Sequence, residues 1–222
     1  MKNILCYGDS NTWGADPHWD RQGPQWRIPR EKRWTGILQR ELGDGYHVYE
    51  GGLCSRTTAF DDPLIPDCNG LKSLPMVLAM TSPLDLVIIM LGGNEAKQRI
   101  GVGPMDISRA TEALINCVRR EPCGYATGQP PKILIMAPPP CTQNIMDYEW
   151  GELFGQEGLE LCQAIPAYQK KVAEKMNCAF LDASEVAVSN PADGMHLDEE
   201  NHGKLAKALL PVVREILSDG QE

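Results

Sequence analysis

The chain is poor in positive charge. Its 21 Lys and Arg stand against 30 Asp and Glu, a formal charge of −9. An acidic surface repels phosphate backbones and anionic lipid heads, which argues against nucleic-acid and membrane-surface binding. Long apolar runs are also missing. The longest, Leu84 to Leu91, is interrupted by Asp85 and is far too short to span a bilayer. The apolar start, Ile4 to Tyr7, is too short for a signal-peptide core and runs straight into turn residues. A reduced, cytoplasmic setting is expected.

Eight cysteines contain no C-x-x-C pair, so neither a zinc ribbon nor a thioredoxin-like site is signalled. Several sit in apolar runs, as in Cys178-Ala179-Phe180-Leu181, where Cys behaves as a small hydrophobe. Free, structural thiols are expected. No G-x-G-x-x-G and no G-x-x-x-x-G-K-[ST] occurs, so nucleotide binding lacks its usual signature. A G-x-S-x-G elbow is absent as well. There are only four histidines. His196 and His202 do not share a helical face, and neither a metal nor another cofactor is expected.

What is present is 222 residues with 42% hydrophobic content, enough for one domain spanning 1–222 with a sizeable core. Short runs that are apolar at every position recur at Ile4–Tyr7, Tyr46–Tyr49, Leu86–Leu91, Ile133–Ala137 and Ala179–Leu181. Such runs suit strands buried on both faces in a parallel sheet. Amphipathic stretches lie between them at Arg33–Leu42, Ile107–Val118, Leu159–Met176, with a kink at Pro166, and Lys204–Leu217. The alternation predicts right-handed βαβ units in a three-layer α/β/α sandwich. Two stretches fall outside it, Asp16–Arg30 and Pro138–Trp150. Loops of that length usually wall or cover a site. Their tryptophans, Trp19, Trp26 and Trp150, suit a pocket lining or an oligomer interface.

Ligands of parallel sheets bind at the carboxyl ends of the strands. There stand Gly8-Asp9-Ser10-Asn11, Gly51-Gly52-Leu53-Cys54-Ser55 and Gly92-Gly93-Asn94-Glu95, while Asp193-Gly194-Met195-His196 precedes the last helix. A serine hydroxyl needs an adjacent base to act as a nucleophile, and His196 supplies one. Asp193, three residues earlier, can hold the other ring nitrogen. The Ser10 N–H, a backbone N–H at Gly52 and the Asn94 amide can together stabilise an oxyanion. Each piece has a plainer explanation: Gly-Asp-Ser as a turn, Gly93-Asn94 as a helix cap, Asp193 as a turn residue, His196 as a surface histidine. Those explanations must all hold at once, at four separate places, for the chemistry to be an accident. Ser55 is a weaker nucleophile candidate, since it lies beyond the close glycines.

Gly8-Asp9-Ser10-Asn11 resembles the first block of the SGNH (GDSL) hydrolases, in the GDSN form. Gly52, Asn94 and the Asp193-x-x-His196 pair match the other three blocks in order. Arg33-Trp34-Thr35-Gly36, Gly52 to Thr58, Asp61-Asp62-Pro63 and Asp85–Gly92 are similar to the bacterial arylesterase/acyltransferase branch, which includes carbohydrate acetylesterases. The third block departs from the usual Gly-Thr-Asn-Asp, reading Gly92-Gly93-Asn94-Glu95. The resemblance implies a flavodoxin-like fold with a five-stranded parallel sheet. It implies Ser10 as nucleophile, His196 as base, Asp193 as its orienter, and Ser10, Gly52 and Asn94 as oxyanion donors. It implies a small-molecule ester substrate, short-chain and often acetyl, contacted by Asp9, Asn11, Trp13, Cys54 and Met195. Acyl transfer to alcohols and assembly into a homo-oligomer are further implications. A sugar deacetylase and a catalytically inactive binding or scaffold protein are the competing readings.

Overall fold

The computed structural model describes residues 1–18, 26–124 and 129–218. Five strands form one parallel sheet: β1 (Lys2–Gly8), β2 (Tyr46–Gly52), β3 (Leu86–Met90), β4 (Lys132–Ala137) and β5 (Ala179–Asp182). Their order is β2-β1-β3-β4-β5. The winding therefore reverses between β1 and β3, and the crevice at the carboxyl ends of those two strands is where such sheets take ligands. All five expected runs are strands. The two outer ones, β2 and β5, are only partly buried. His47, expected in a buried strand, is half-buried on edge strand β2, packed edge-on against Tyr49.

Side chains alternate across a strand, so β1 feeds both faces. Ile4 and Cys6 pack against Trp34 and Leu38 of α2 (Trp34–Leu42) and Leu205 and Leu209 of α6 (Glu199–Ser218). Leu5 and Tyr7 pack against Leu74 of α3 (Gly70–Thr81), Leu114 of α4 (Pro104–Arg120) and Val172 of α5 (Glu149–Lys175). This is the expected three-layer α/β/α sandwich. Each such Leu or Ile, fully buried, stabilises the fold by about 1.5–3 kcal/mol.

Helix α4 shows how local sequence sets an element. Pro104 opens it, the Asp106 carboxylate accepts the Gly103 N–H at 2.9 Å, and Arg119 and Arg120 close it against the helix dipole. Helix α3 was not expected. Pro75 lies inside it and Met76 and Met80 are exposed, which blurs its apolar stripe. Helix α5 begins at Glu149, ten residues before the expected Leu159, so the loop after β4 is shorter than expected and holds a 3-10 turn at Gln143–Asp147. Non-helical dihedrals inside α5 fall at Gly155 (φ 62), not at Pro166.

The other long loop is described only in part. Trp19 and Pro24 lie outside the described residues. Its two ends are tied to the body: Ala15 pairs with Arg27, and the buried Arg33 donates to the Ile28 carbonyl at 2.6 Å while pairing with Glu50 at 3.2 Å. All eight cysteines are free. Cys141 and Cys162 come within 3.6 Å, sulfur to sulfur, without bonding covalently.

Candidate active site

Ser10 is the first residue of the short helix α1 (Ser10–Trp13), directly after β1. Asp9 caps that helix by accepting the Asn11 N–H at 3.0 Å. The ring Nε2 of His196 lies 2.9 Å from Ser10 Oγ, and its Nδ1 lies 2.6 Å from Asp193 Oδ2. An ionised carboxylate only accepts, so Nδ1 carries the proton and Nε2 is left to accept the serine O–H. The other Asp193 oxygen accepts the Met195 and His196 N–H groups, each at 2.9 Å. Burial raises the Asp193 pKa, but the His196 ring and those two N–H groups outweigh it and hold the carboxyl below its ordinary value.

The loop carrying His196 is fixed from two sides. Asn11 Oδ1 accepts the Leu197 N–H at 2.9 Å, and its Nδ2 donates to the Met195 carbonyl at 3.3 Å. From the other side, the Thr142 N–H donates to the Gly194 carbonyl at 2.8 Å. Gly194 has φ 73, and a Cβ there would strike the Ile145 backbone, so only glycine fits. Thus the stretch after β4 buttresses the histidine loop.

Asn94 sits in a 3-10 turn (Gly93–Ala96) after β3. One of its amide protons goes to the Arg56 carbonyl at 3.1 Å, which fixes the side chain. Arg56 is buried, stacks on Tyr7 at 4.2 Å, and donates to the carbonyls of Gly8 and Gly51 at the ends of β1 and β2. Glu95, the longer residue of the third block, is buried and reaches the Thr58 N–H and hydroxyl. Burial pushes the Glu95 carboxyl pKa up. It also raises that of Asp9, in that case to about 6.

A cavity of about 220 Å³ opens beside Ser10. It is lined by Ser10, Ala15, Trp26, Cys54, Ser55, Asn94, Lys97, Trp150, Met195 and His196. A second space of about 20 Å³ shares Ser10, Asn94 and Met195, and adds Asp9, Asn11, Gly93, Pro138–Cys141, Phe154, Cys162 and Ile165. Of the residues expected at a substrate, Cys54 and Met195 line the larger cavity, and Asp9, Asn11 and Met195 the smaller. Trp13 lines neither; it stacks on Trp26 at 4.4 Å, and Trp26 is the ring that reaches the cavity. Gly52 lines neither. A Cβ on Gly52 would strike the Trp13 backbone N, so its lack of a side chain serves the packing of β2 against α1. Burial raises the Cys54 thiol to about 11, so at neutral pH it is not a thiolate competing with Ser10. Ser55, with φ 63, and Lys97 are cavity residues that sequence reasoning passed over as substrate contacts. His202, fully buried, accepts the Trp34 N–H on Nδ1 at 3.3 Å and takes no part in the cavity.

Residues 6–204 match the GDSL-like lipase/acylhydrolase family. The chain belongs to that family. It is thereby an enzyme of the ester-hydrolysing class. No curated protein matches it. Among solved structures, it is similar to a carbohydrate acetylesterase family member from Sinorhizobium meliloti, with 39% identity, coverage of 98% of this chain and 100% of that one, and a TM-score of 0.90. The native aryl esterase of M. smegmatis gives 39% identity, the same coverage of both chains and a TM-score of 0.90. Another structure of a carbohydrate acetylesterase from Sinorhizobium meliloti, Est24, gives 38% identity over 97% of this chain and 100% of that one, with a TM-score of 0.89. This SGNH-family enzyme therefore shares its five-stranded parallel sheet and helical layers with structures on both sides of the arylesterase and sugar-esterase division.

Proposed function

We propose that the protein is a serine esterase of short-chain carboxylic esters, acting as one SGNH domain over residues 1–222. The observation that carries this reading is the hydrogen-bonded chain from Ser10 Oγ through His196 to Asp193, at 2.9 and 2.6 Å, opening on a cavity. Ser10 Oγ attacks the ester carbonyl carbon while His196 Nε2 takes its proton. Asp193 holds the ring and balances the imidazolium charge. The Ser10 N–H and the second Asn94 amide proton meet the oxyanion. We assign the third donor to the backbone at Ser55, because Ser55 lines the cavity and Gly52 does not. When the tetrahedral adduct collapses, Nε2 returns the proton to the leaving alcohol oxygen. Water then cleaves the acyl-serine; an alcohol in its place gives acyl transfer.

The two spaces divide the substrate. His196 lines only the larger one, so the alcohol that receives its proton leaves there. The acyl group then occupies the smaller space, whose 20 Å³ suits about one water or one methyl. A panel of p-nitrophenyl esters tests this: the acetate turns over fastest, and kcat/KM falls steeply by the butyrate. A butyrate equal to the acetate contradicts the assignment.

A sugar deacetylase is the second reading, supported by the likeness to the Sinorhizobium meliloti structures. Comparison of acetylated xylose with phenyl acetate separates the two. An inactive scaffold is disfavoured by the intact Ser10–His196–Asp193 chain. Assembly into a homo-oligomer is a further part of the proposal, and the exposed apolar side chains of Leu64, Met76 and Met80 are available to an interface. A cytoplasmic setting is supported by eight unpaired thiols. Among the described residues no helix is long and apolar enough to cross a membrane.

A further inference from the structure

Lys97 is a buried cation whose presence the packing does not require. It follows directly on the 3-10 turn that carries Asn94, and its side chain is 4% exposed. Among the described residues its Nζ has no hydrogen-bond partner. The nearest anion, Asp62, lies 3.9 Å away, outside hydrogen-bond reach. Asp62 is moreover already engaged. Arg99 holds both its oxygens, at 2.8 and 2.6 Å, and the Leu64 N–H donates to it at 2.9 Å. An ammonium carries three donors and no acceptor, and burying it with those donors unmet is unfavourable. A methionine would fill the same space without that cost. Yet Lys97 lines the cavity that holds Ser10, Asn94 and His196. The missing acceptor therefore has room to come from a ligand.

Which end of the ligand it meets follows from the proton path. Lys97 shares the larger cavity with His196, where the leaving alcohol sits. We propose that Lys97 is a specificity-determining residue that binds a carboxylate on the alcohol part of the ester. The proposal rests on the esterase reading above and narrows its substrate to acetyl esters of acidic alcohols or phenols. A carboxylate satisfies the ammonium in charge as well as in hydrogen bonding, with Arg99 already taking up most of the Asp62 charge. The acidic chain as a whole repels such a substrate only weakly at physiological salt, where screening acts within about 8 Å.

The test compares 4-acetoxybenzoate with its neutral isostere 4-acetoxybenzamide. The wild-type chain is expected to favour the benzoate by roughly 10–100-fold in kcat/KM, the scale of one charge-assisted hydrogen bond in a desolvated site. Most of the difference should appear in KM. In Lys97→Met the preference disappears. A second measurement needs no variant and uses the wild type alone: 4-hydroxybenzoate inhibits phenyl acetate hydrolysis more strongly than 4-hydroxybenzamide. Equal kcat/KM for the two esters, or a preference that survives in folded Lys97→Met, or equal inhibition by the two phenols, overturns the assignment of Lys97 and leaves the esterase reading standing. Failure to hydrolyse any of the acetates overturns both.

Discussion

Asn11 and Leu197 are joined across 186 positions of chain, the side-chain oxygen of one accepting the backbone N–H of the other at 2.9 Å. That bond docks the loop of His196 onto the helix of Ser10. Asn11 lines the smaller space, and both ends of its amide bond to protein backbone, so it also positions the histidine. Loss of the bond leaves a buried N–H unsatisfied, at a cost of about 1–3 kcal/mol. Asn11→Ala is expected to lose roughly 10–100-fold in kcat with little change in KM, since a misplaced base weakens the chemical step. Asn11→Asp, which keeps the accepting oxygen, should recover most of the loss. Steady-state kinetics on phenyl acetate check this; a fall confined to KM would assign Asn11 to the substrate after all.

Parts of this arrangement were legible in the sequence for identifiable reasons. Strands β1, β3 and β4 lie in the middle of the sheet, so their runs are apolar at every position and stand out. Helix α3 did not stand out, because Met76 and Met80 face outward where polar residues would ordinarily mark the solvent side. Asn69, which caps it by accepting the Lys72 N–H, was the signal available. The glycine of the second block promises a close approach, and the structure has one to the backbone of α1. Nothing in the string says which neighbour such a glycine admits. Lys97 was passed over because lysine is almost always on the surface, and only the fold shows this one buried.

The acyl side of the site is set by apolar side chains, and Ile165 of α5 is one of them. Ile165→Ala removes most of that side chain beside Ser10. The kcat/KM ratio of butyrate to acetate esters should rise at least several-fold, while the protein loses about 2–5 kcal/mol of stability. The p-nitrophenyl ester panel and a thermal melt read the two effects. A ratio equal to that of the wild type would place the acyl group elsewhere.

His202 gives a prediction about pH. Burial, with Arg33 and His196 adding like charge against the opposing pull of Asp198, lowers its pKa to about 4 from an ordinary 6.5. The unfolded chain therefore takes up a proton between pH 6.5 and about 4 that the folded chain refuses, and stability falls as pH falls through that window. The difference corresponds to about 3 kcal/mol. Asp9, raised to about 6, has the opposite sign over an overlapping range and is common to both proteins compared. Urea denaturation at pH 7 and pH 4 should show the wild type losing about 3 kcal/mol more than His202→Asn. Parallel losses would mean that His202 is protonated in the fold.

The central claim is that Ser10 forms the acyl bond. The most direct measurement is mass spectrometry of the protein after reaction with a fluorophosphonate, with peptide mapping and with Ser10→Ala treated alongside. The expected result is one stoichiometric adduct on Ser10, no adduct on Ser10→Ala, and a fall of about 10⁴-fold or more in ester turnover by that variant. An adduct on another residue, or a folded Ser10→Ala that keeps most of its activity, would contradict it.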